Sequence, residues 1–427
     1  MEFQQSHNQL HVIFVPFAAP GHMLPMIDTA RLFAKHGVNV IPSAQIGLPD
    51  SVENIKDANS TEIRGKIGHG LWMLQDTIEV LFQELRPDCI VTDMMYPWTV
   101  DSAAKLGIPR IYYSSTSYFS NCASHFIRKY KPHDNLVSDT QKFTIPGLPH
   151  IIEMNPLQIP DWLRTNISVA TYFEPIFQSE KRSYGILYNS FHELESDYEK
   201  LSKTTMGIQS WSVGPVSTWI NKDDEEKSNR GHNIGKESEL INWLNSKPNE
   251  SVLYVSFGSL TRLSHQQIVE LAYGLENTGH NFIWVVREKV KDEDGEEERM
   301  KESKKGYIIW NWAPQLLILD HPSTGGIVTH CGVPVGTIVN KFWFDIGEEA
   351  LVRREEILKA VGILMGSSKE SKEMRMRAKK LGDAAKRTIE KGGHSYDSLI
   401  QLIDELKSLK KSKALGEKDD QIIEMKM

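Results

Sequence analysis

Three cysteines in 427 residues, Cys89, Cys122 and Cys331, are too few and too widely spaced for a disulfide framework, and none forms the CxxC pair of a structural zinc site. Reduced thiols are expected. Surplus positive charge is missing as well: 49 Lys and Arg against 56 Asp and Glu give a formal net charge of -7. No stretch interleaves basic with aromatic residues, so the chain lacks a footprint for a phosphate backbone, and no nucleic acid is expected as a partner. Long apolar runs are absent too. The N-terminal run Leu10 to Pro20 is too short and too punctuated by proline to be a signal-peptide core or a membrane span. The expectation is a cytoplasmic protein without integral membrane contact, in which the sequons at Asn59 and Asn166 carry no sugar.

What is present is ordinary globular material, 40% hydrophobic and 25% charged, long enough for two or three domains. Short β-branched apolar runs alternate with amphipathic stretches, the pattern of parallel α/β units. Strands are predicted at His11 to Pro16, Cys89 to Thr92, Arg110 to Tyr113 and Gly185 to Asn189, with a helix over Leu24 to Lys35. They make an N-terminal domain over 1–216. The polar stretch 217–238 reads as a linker. A second Rossmann-like domain follows over 239–407, with strands at Ser251 to Phe257, Asn281 to Val286 and Gly325 to Thr329 and a helix at Ser264 to Asn277. Glu288 to Lys305 reads as a solvated loop or helix face, and 408–427 as a frayed charged tail. No repeat at solenoid spacing is present.

Two positions on the first domain carry chemistry. Pro20-Gly21-His22-Met23 lies between the first strand and its helix, where parallel α/β proteins bind ligands. Asp93 follows the apolar run Cys89-Ile-Val-Thr and belongs on the same rim. A histidine with pKa near 6.5 suits deprotonating an alcohol when a second group holds its tautomer, so the pair reads as a base and its orienter. The residues alone leave the alternative open: an inert loop histidine and a turn or N-cap aspartate. A nucleotide-dependent oxidoreductase would need G-x-G-x-x-G after the first strand, and an α/β-hydrolase a G-x-S-x-G elbow. Neither is found. A DxD-like motif or clustered His and Asp for a metal is not found either.

The most specific stretch runs Trp312-Ala-Pro-Gln315, His321-Pro-Ser, Gly325-Gly326 and Thr329-His330-Cys331-Gly332. It resembles the first half of the donor-binding box of plant family-1 UDP-glycosyltransferases. The resemblance extends to Pro16 to Met23, Pro87 to Trp98, Gly147-Leu-Pro and Tyr254-Val-Ser-Phe-Gly-Ser259, and its upstream features look like the subgroup acting on triterpenoid saponins and flavonoids.

The resemblance implies an α/β, GT-B fold of two facing Rossmann-like domains. The first would hold a hydrophobic hydroxylated small molecule and the second the UDP-sugar, a co-substrate, with no metal and no resident cofactor, in a monomer. It implies His22 as general base and Asp93 as its orienter. Trp312 would stack on uracil, worth roughly 1–3 kcal/mol by analogy with base stacking. Ala313 would meet the uracil edge through its backbone, and Gln315 the nucleoside. His330 and Ser259 would contact the diphosphate, whose developing charge backbone N–H groups at a helix N-terminus stabilise, and Gly332 belongs to the same donor-binding set. Ser115 matches a position that touches the sugar in some relatives.

The chain departs from the family twice. After Gly332 it passes to Val333-Pro-Val-Gly336, where the family continues with the helix and strand that complete the box. After Val40 it passes to Ile41-Pro-Ser, where relatives add a helix walling the acceptor pocket. Missing a strand-helix unit, the second domain is expected to expose core faces, at about 1.5–3 kcal/mol per lost apolar side chain, and to bind donor weakly. The alternative reading is a catalytically impaired splice form or gene-model variant.

Overall fold

The apolar runs form parallel strands, because strands covered by helices on both faces need side chains that are buried on both. The structure, a computed structural model, describes residues 9–41, 73–138, 140–160, 163, 169–222, 237–259, 261, 263–286, 305–329 and 351–424. It divides into two units: Met1–Pro156 with Asp161–Ile220 and Leu381–Met427, and Leu157–Pro160 with Asn221–Lys380.

The first unit holds a six-stranded sheet in the order β2-β1-β3-β4-β7-β8. Its strands are β1 (His11–Val15), β2 (Asn39–Ile41), β3 (Cys89–Asp93), β4 (Arg110–Ser114), β7 (Gly185–Tyr188) and β8 (Ser210–Ser212). Every pairing is parallel. β1 lies directly beside β3, with Val15 opposite Thr92. A two-stranded antiparallel pair, β5 (Phe143–Thr144) and β6 (Glu153–Met154), stands apart from this sheet. The connecting helices include α1 (Pro20–Lys35), α2 (Gln75–Leu85), α3 (Thr99–Leu106), α4 (Tyr118–Tyr130), α5 (Val169–Arg182) and α6 (His192–Thr205).

Helix α1 begins four residues earlier than its apolar periodicity suggests. Pro20 occupies a first-turn position, where its fixed φ is already helical and its missing N–H costs nothing. His22 therefore stands in the first turn of a helix and not in a loop. The expected linker also begins with structure: Val216–Ile220 is a short helix, α7, whose Val216, Trp219 and Ile220 are buried in the first unit's core.

The C-terminal boundary is corrected as well. The chain's last helix, α13 (His394–Glu424), runs through most of the segment expected to be a frayed tail. Leu399, Leu402, Ile403 and Leu406 recur at helical spacing and enter the cluster of Leu10, Phe33, Trp211 and Trp219 in the first unit. At about 1.5–3 kcal/mol for each such side chain, this stripe is a main attachment of the helix. Its polar anchors are the Ser395 hydroxyl on the Gly214 carbonyl at 2.6 Å, the Ser212 amide on Ser398 Oγ at 3.1 Å, and Lys410 on Asp88 at 2.9 Å.

In the second unit, α8 (Glu237–Asn245) leads into β9 (Val252–Val255), α9 (His265–Asn277), β10 (Asn281–Val286), β11 (Gly306–Trp310), α10 (Gln315–Asp320) and β12 (Thr324–Val328). The helices α11 (Arg354–Met365) and α12 (Lys369–Thr388) follow. The sheet order is β11-β10-β9-β12, all parallel. Ser264 caps α9 by accepting from the Gln267 amide at 3.2 Å. One sheet face carries Leu253, Phe282 and Trp284 against Leu271, Ile357 and Val361, the other Tyr254 and Ile283 against Leu240, Leu244 and Ile318. Both faces of the central strands β9 and β10 are thus covered among the described residues. The edge strand β12 is the exception, with Ile327 40% exposed. The segment Glu288 to Lys305, apart from Lys305, lies outside the described residues, as does the junction after Gly332.

Candidate functional site

On the first sheet the chain leaves β1 for β2 on one side, while β3 lies on the other, so the crossovers change direction between β1 and β3. Ligands of open parallel sheets bind outside the carboxyl ends of the strands at such a switch point. His22 follows the carboxyl end of β1, Asp93 ends β3 and Ser115 follows β4, on three neighbouring strands.

His22 Nδ1 lies 3.0 Å from Asp93 Oδ2. Asp93 is fully buried, and its other oxygen accepts from the Met95 amide at 3.0 Å, which fixes the carboxylate plane. Facing a carboxylate, Nδ1 carries the proton, and Nε2 keeps the lone pair. The His22 side chain is 22% exposed. Burial pulls its pKa down, while the charge and hydrogen bond of Asp93 push it up, and the result lies above the ordinary 6.5. Phe17 stands against the imidazole at 5.3 Å between ring centroids, and Tyr96 against Phe17 at 6.0 Å. A base with a fixed tautomer in an aromatic surround suits taking a proton from an alcohol. Ser115 Oγ lies 3.2 Å from Met94 Sδ, one residue from Asp93.

Arg110 belongs to no motif in the sequence. It is 2% exposed in β4, and its guanidinium donates to Thr92 Oγ1 at 2.8 Å, to Ser183 Oγ at 2.7 Å and to the Asp93 carbonyl at 3.4 Å. Burial pulls its pKa down to about 10. The available signal was a cation within the strand run Arg-Ile-Tyr-Tyr, which only partnered burial tolerates.

On the second sheet Ser259 follows β9 and Trp312 follows β11, so both loops leave the carboxyl edge. Gly258 at φ +71° and Asn311 at φ +69° turn the chain at these two exits. Trp312 is half-buried, Ala313 is buried, and Gln315 is exposed at the start of α10. β9 and β11 are separated by β10, placing the two loops about 10 Å apart along the edge. The Gly325-Gly326 pair sits at a register shift in β12, and a Cβ at Gly325 would collide with the Glu250 carbonyl. β12 ends one residue before Thr329; His330 and Gly332 lie outside the described residues.

The sequence model of the family described as "UDP-glucoronosyl and UDP-glucosyl transferase" matches residues 77–336. The chain belongs to that family. This UDP-glycosyltransferase is 42% identical to the soyasapogenol B glucuronide galactosyltransferase of Glycine max, over 97% of this chain and 99% of that protein. It is 36% identical to the scopoletin glucosyltransferase of Nicotiana tabacum, over 93% and 98% of the two chains. The crystal structure of Glycyrrhiza uralensis UGT73P12 complexed with glycyrrhetinic acid 3-O-monoglucuronide superposes with a TM-score of 0.91 at 39% identity, covering 98% of this chain and 100% of that one. The fold class is α/β of the GT-B type, as expected. The Glycine max alignment runs over 493 residues, more than the 427 of this chain, so that relative holds segments without a counterpart here.

Proposed function

We propose that the chain transfers the sugar of a UDP-sugar, with inversion at the anomeric carbon, to a hydroxyl of a triterpenoid sapogenin or saponin or of a flavonoid, as a cytoplasmic monomer. The observation that carries this reading is the 3.0 Å bond between His22 and Asp93 at the switch point of the first sheet. His22 Nε2 takes the acceptor's hydroxyl proton as that oxygen bonds to the anomeric carbon. The bond from that carbon to the diphosphate oxygen breaks on the opposite face, and UDP leaves with the electron pair. Asp93 stabilises the imidazolium so formed. Trp312 stacks on uracil, Ala313 and Gln315 hold the nucleoside, Ser259, His330 and Gly332 face the diphosphate, and Ser115 touches the sugar. UDP-sugar is a co-substrate in this scheme, and no resident cofactor takes part. The acceptor class rests on the Glycine max and Glycyrrhiza uralensis relatives, whose names carry soyasapogenol B glucuronide and glycyrrhetinic acid 3-O-monoglucuronide. Among the described residues no helix is long and apolar enough to cross a membrane.

The test is incubation of the purified chain with UDP-glucose or UDP-galactose and triterpenoid, triterpenoid-glucuronide and flavonoid acceptors, read by mass spectrometry. A product heavier than its acceptor by one hexose is expected. Absence of glycoside with every donor and acceptor contradicts the proposal.

A further inference from the structure

The sequence offered no clustered metal ligands, yet the fold assembles three. Glu199 lies on α6, His192 is that helix's first residue, and His394 is the first residue of α13, some two hundred positions away. One ligand atom from each falls within 4.8 Å of the other two. His192 Nδ1 is 3.0 Å from Glu199 Oε2, and His394 Nε2 is 3.8 Å from Glu199 Oε1. The imidazoles stack at 4.7 Å between centroids and 25° between planes, so both address the carboxylate from one side.

His394 is poorly satisfied as it stands. Its Nε2 is too far from Glu199 for a hydrogen bond, and its Nδ1 is buried with no hydrogen-bond partner. The Glu199 side chain is 5% exposed, with His192 Nδ1 at 3.0 Å from Oε2 and Lys203 Nζ at 2.6 Å from Oε1. Two imidazoles and an ionised carboxylate are the donor set of open zinc sites. With zinc–nitrogen and zinc–oxygen bonds near 2.0–2.2 Å, tetrahedral ligands sit roughly 3.3 Å apart; the three candidate atoms lie within 4.8 Å of one another, so a bound metal would draw them closer. The His192 side chain is 47% exposed, so the cluster can be reached from solvent.

We propose that His192, Glu199 and His394 form a zinc site that pins the start of α13 to α6. The site takes no part in sugar transfer; it fastens the C-terminal helix to the first unit. Lys203, whose ammonium is 2.6 Å from Glu199 Oε1, competes with the metal for that oxygen.

The test uses the tag-free full chain, stripped with chelator and titrated with zinc chloride by calorimetry, with cobalt(II) as a spectroscopic probe. One zinc per chain, a raised melting midpoint with zinc, and the visible absorption of tetrahedral cobalt are expected. Loss of an outer-shell partner already weakens metal sites by about 10–100-fold, so His394→Gln and His192→Gln should each weaken zinc by more than about tenfold. Lys203→Met should tighten it. Circular dichroism of the metal-free variants confirms folding, and exposed His192 supplies the informative variant if His394→Gln does not fold. No zinc binding by the wild-type chain, or equal binding by wild type and a folded histidine variant, overturns the proposal.

Discussion

The His22 imidazole is held between two opposed effects. Burial favours its neutral form, the charge and hydrogen bond of Asp93 favour the cation, and Asp93 prevails. Because the folded-state pKa is raised, the ion pair stabilises the fold fully below pH 6.5, and that contribution is lost as pH rises through the folded pKa. The base needed for catalysis fills over the same interval, so the transfer rate should climb with pH along a limb centred above 6.5. Asp93→Asn removes the raising charge and leaves burial, so the limb should move to lower pH. An amide also favours the wrong imidazole tautomer, and kcat should fall by about 10^2–10^4-fold. A pH-rate profile of the two proteins checks both, and an unmoved limb contradicts the assignment. The rim positions of His22 and Asp93 were legible in the sequence, since each follows an apolar strand run. Their contact was not, because it depends on β1 lying beside β3. Nor was Arg110, whose partners Thr92 and Ser183 come together only through the sheet and α5.

At the scale of elements, parallel strands read well because burial on both faces leaves an uninterrupted apolar signature. The short strands β2 (Asn39–Ile41) and β8 (Ser210–Ser212) were exceptions, and so was β11, whose run Gly-Tyr-Ile-Ile-Trp adjoins a charged stretch. Helix α13 shows where reading ends. The period of Leu399, Leu402, Ile403 and Leu406 declares an amphipathic helix, but nothing local says which unit it covers. Order along the chain pointed to the second; packing attaches it to the first. Leu402 is fully buried, so Leu402→Ala should destabilise the first unit by about 2–5 kcal/mol, read from chemical denaturation. A cost below about 1 kcal/mol would mean that the helix is not held by this stripe.

At the scale of the whole molecule, the two halves of the transferase stand differently. On the first sheet His22, Asp93 and Ser115 leave three neighbouring strands at one edge, with His22 and Asp93 in contact. The positions proposed for the donor, Ser259, Trp312, Ala313 and Gln315, stand at the carboxyl edge of a four-stranded sheet, whose edge strand β12 leaves Ile327 40% exposed. The family resemblance implies that the segment following the Gly332 position completes the donor box. Inserting it after Gly332 should therefore lower the KM for UDP-sugar, measured at saturating acceptor, and equal values would show that the shorter box holds donor as well as the longer. The account as a whole turns on His22 as the base of sugar transfer. The most direct measurement is glycoside formation by the chain and by His22→Ala, at matched saturation and with matched circular dichroism. A loss of about 10^2–10^4-fold is predicted, and an unchanged rate would contradict the account.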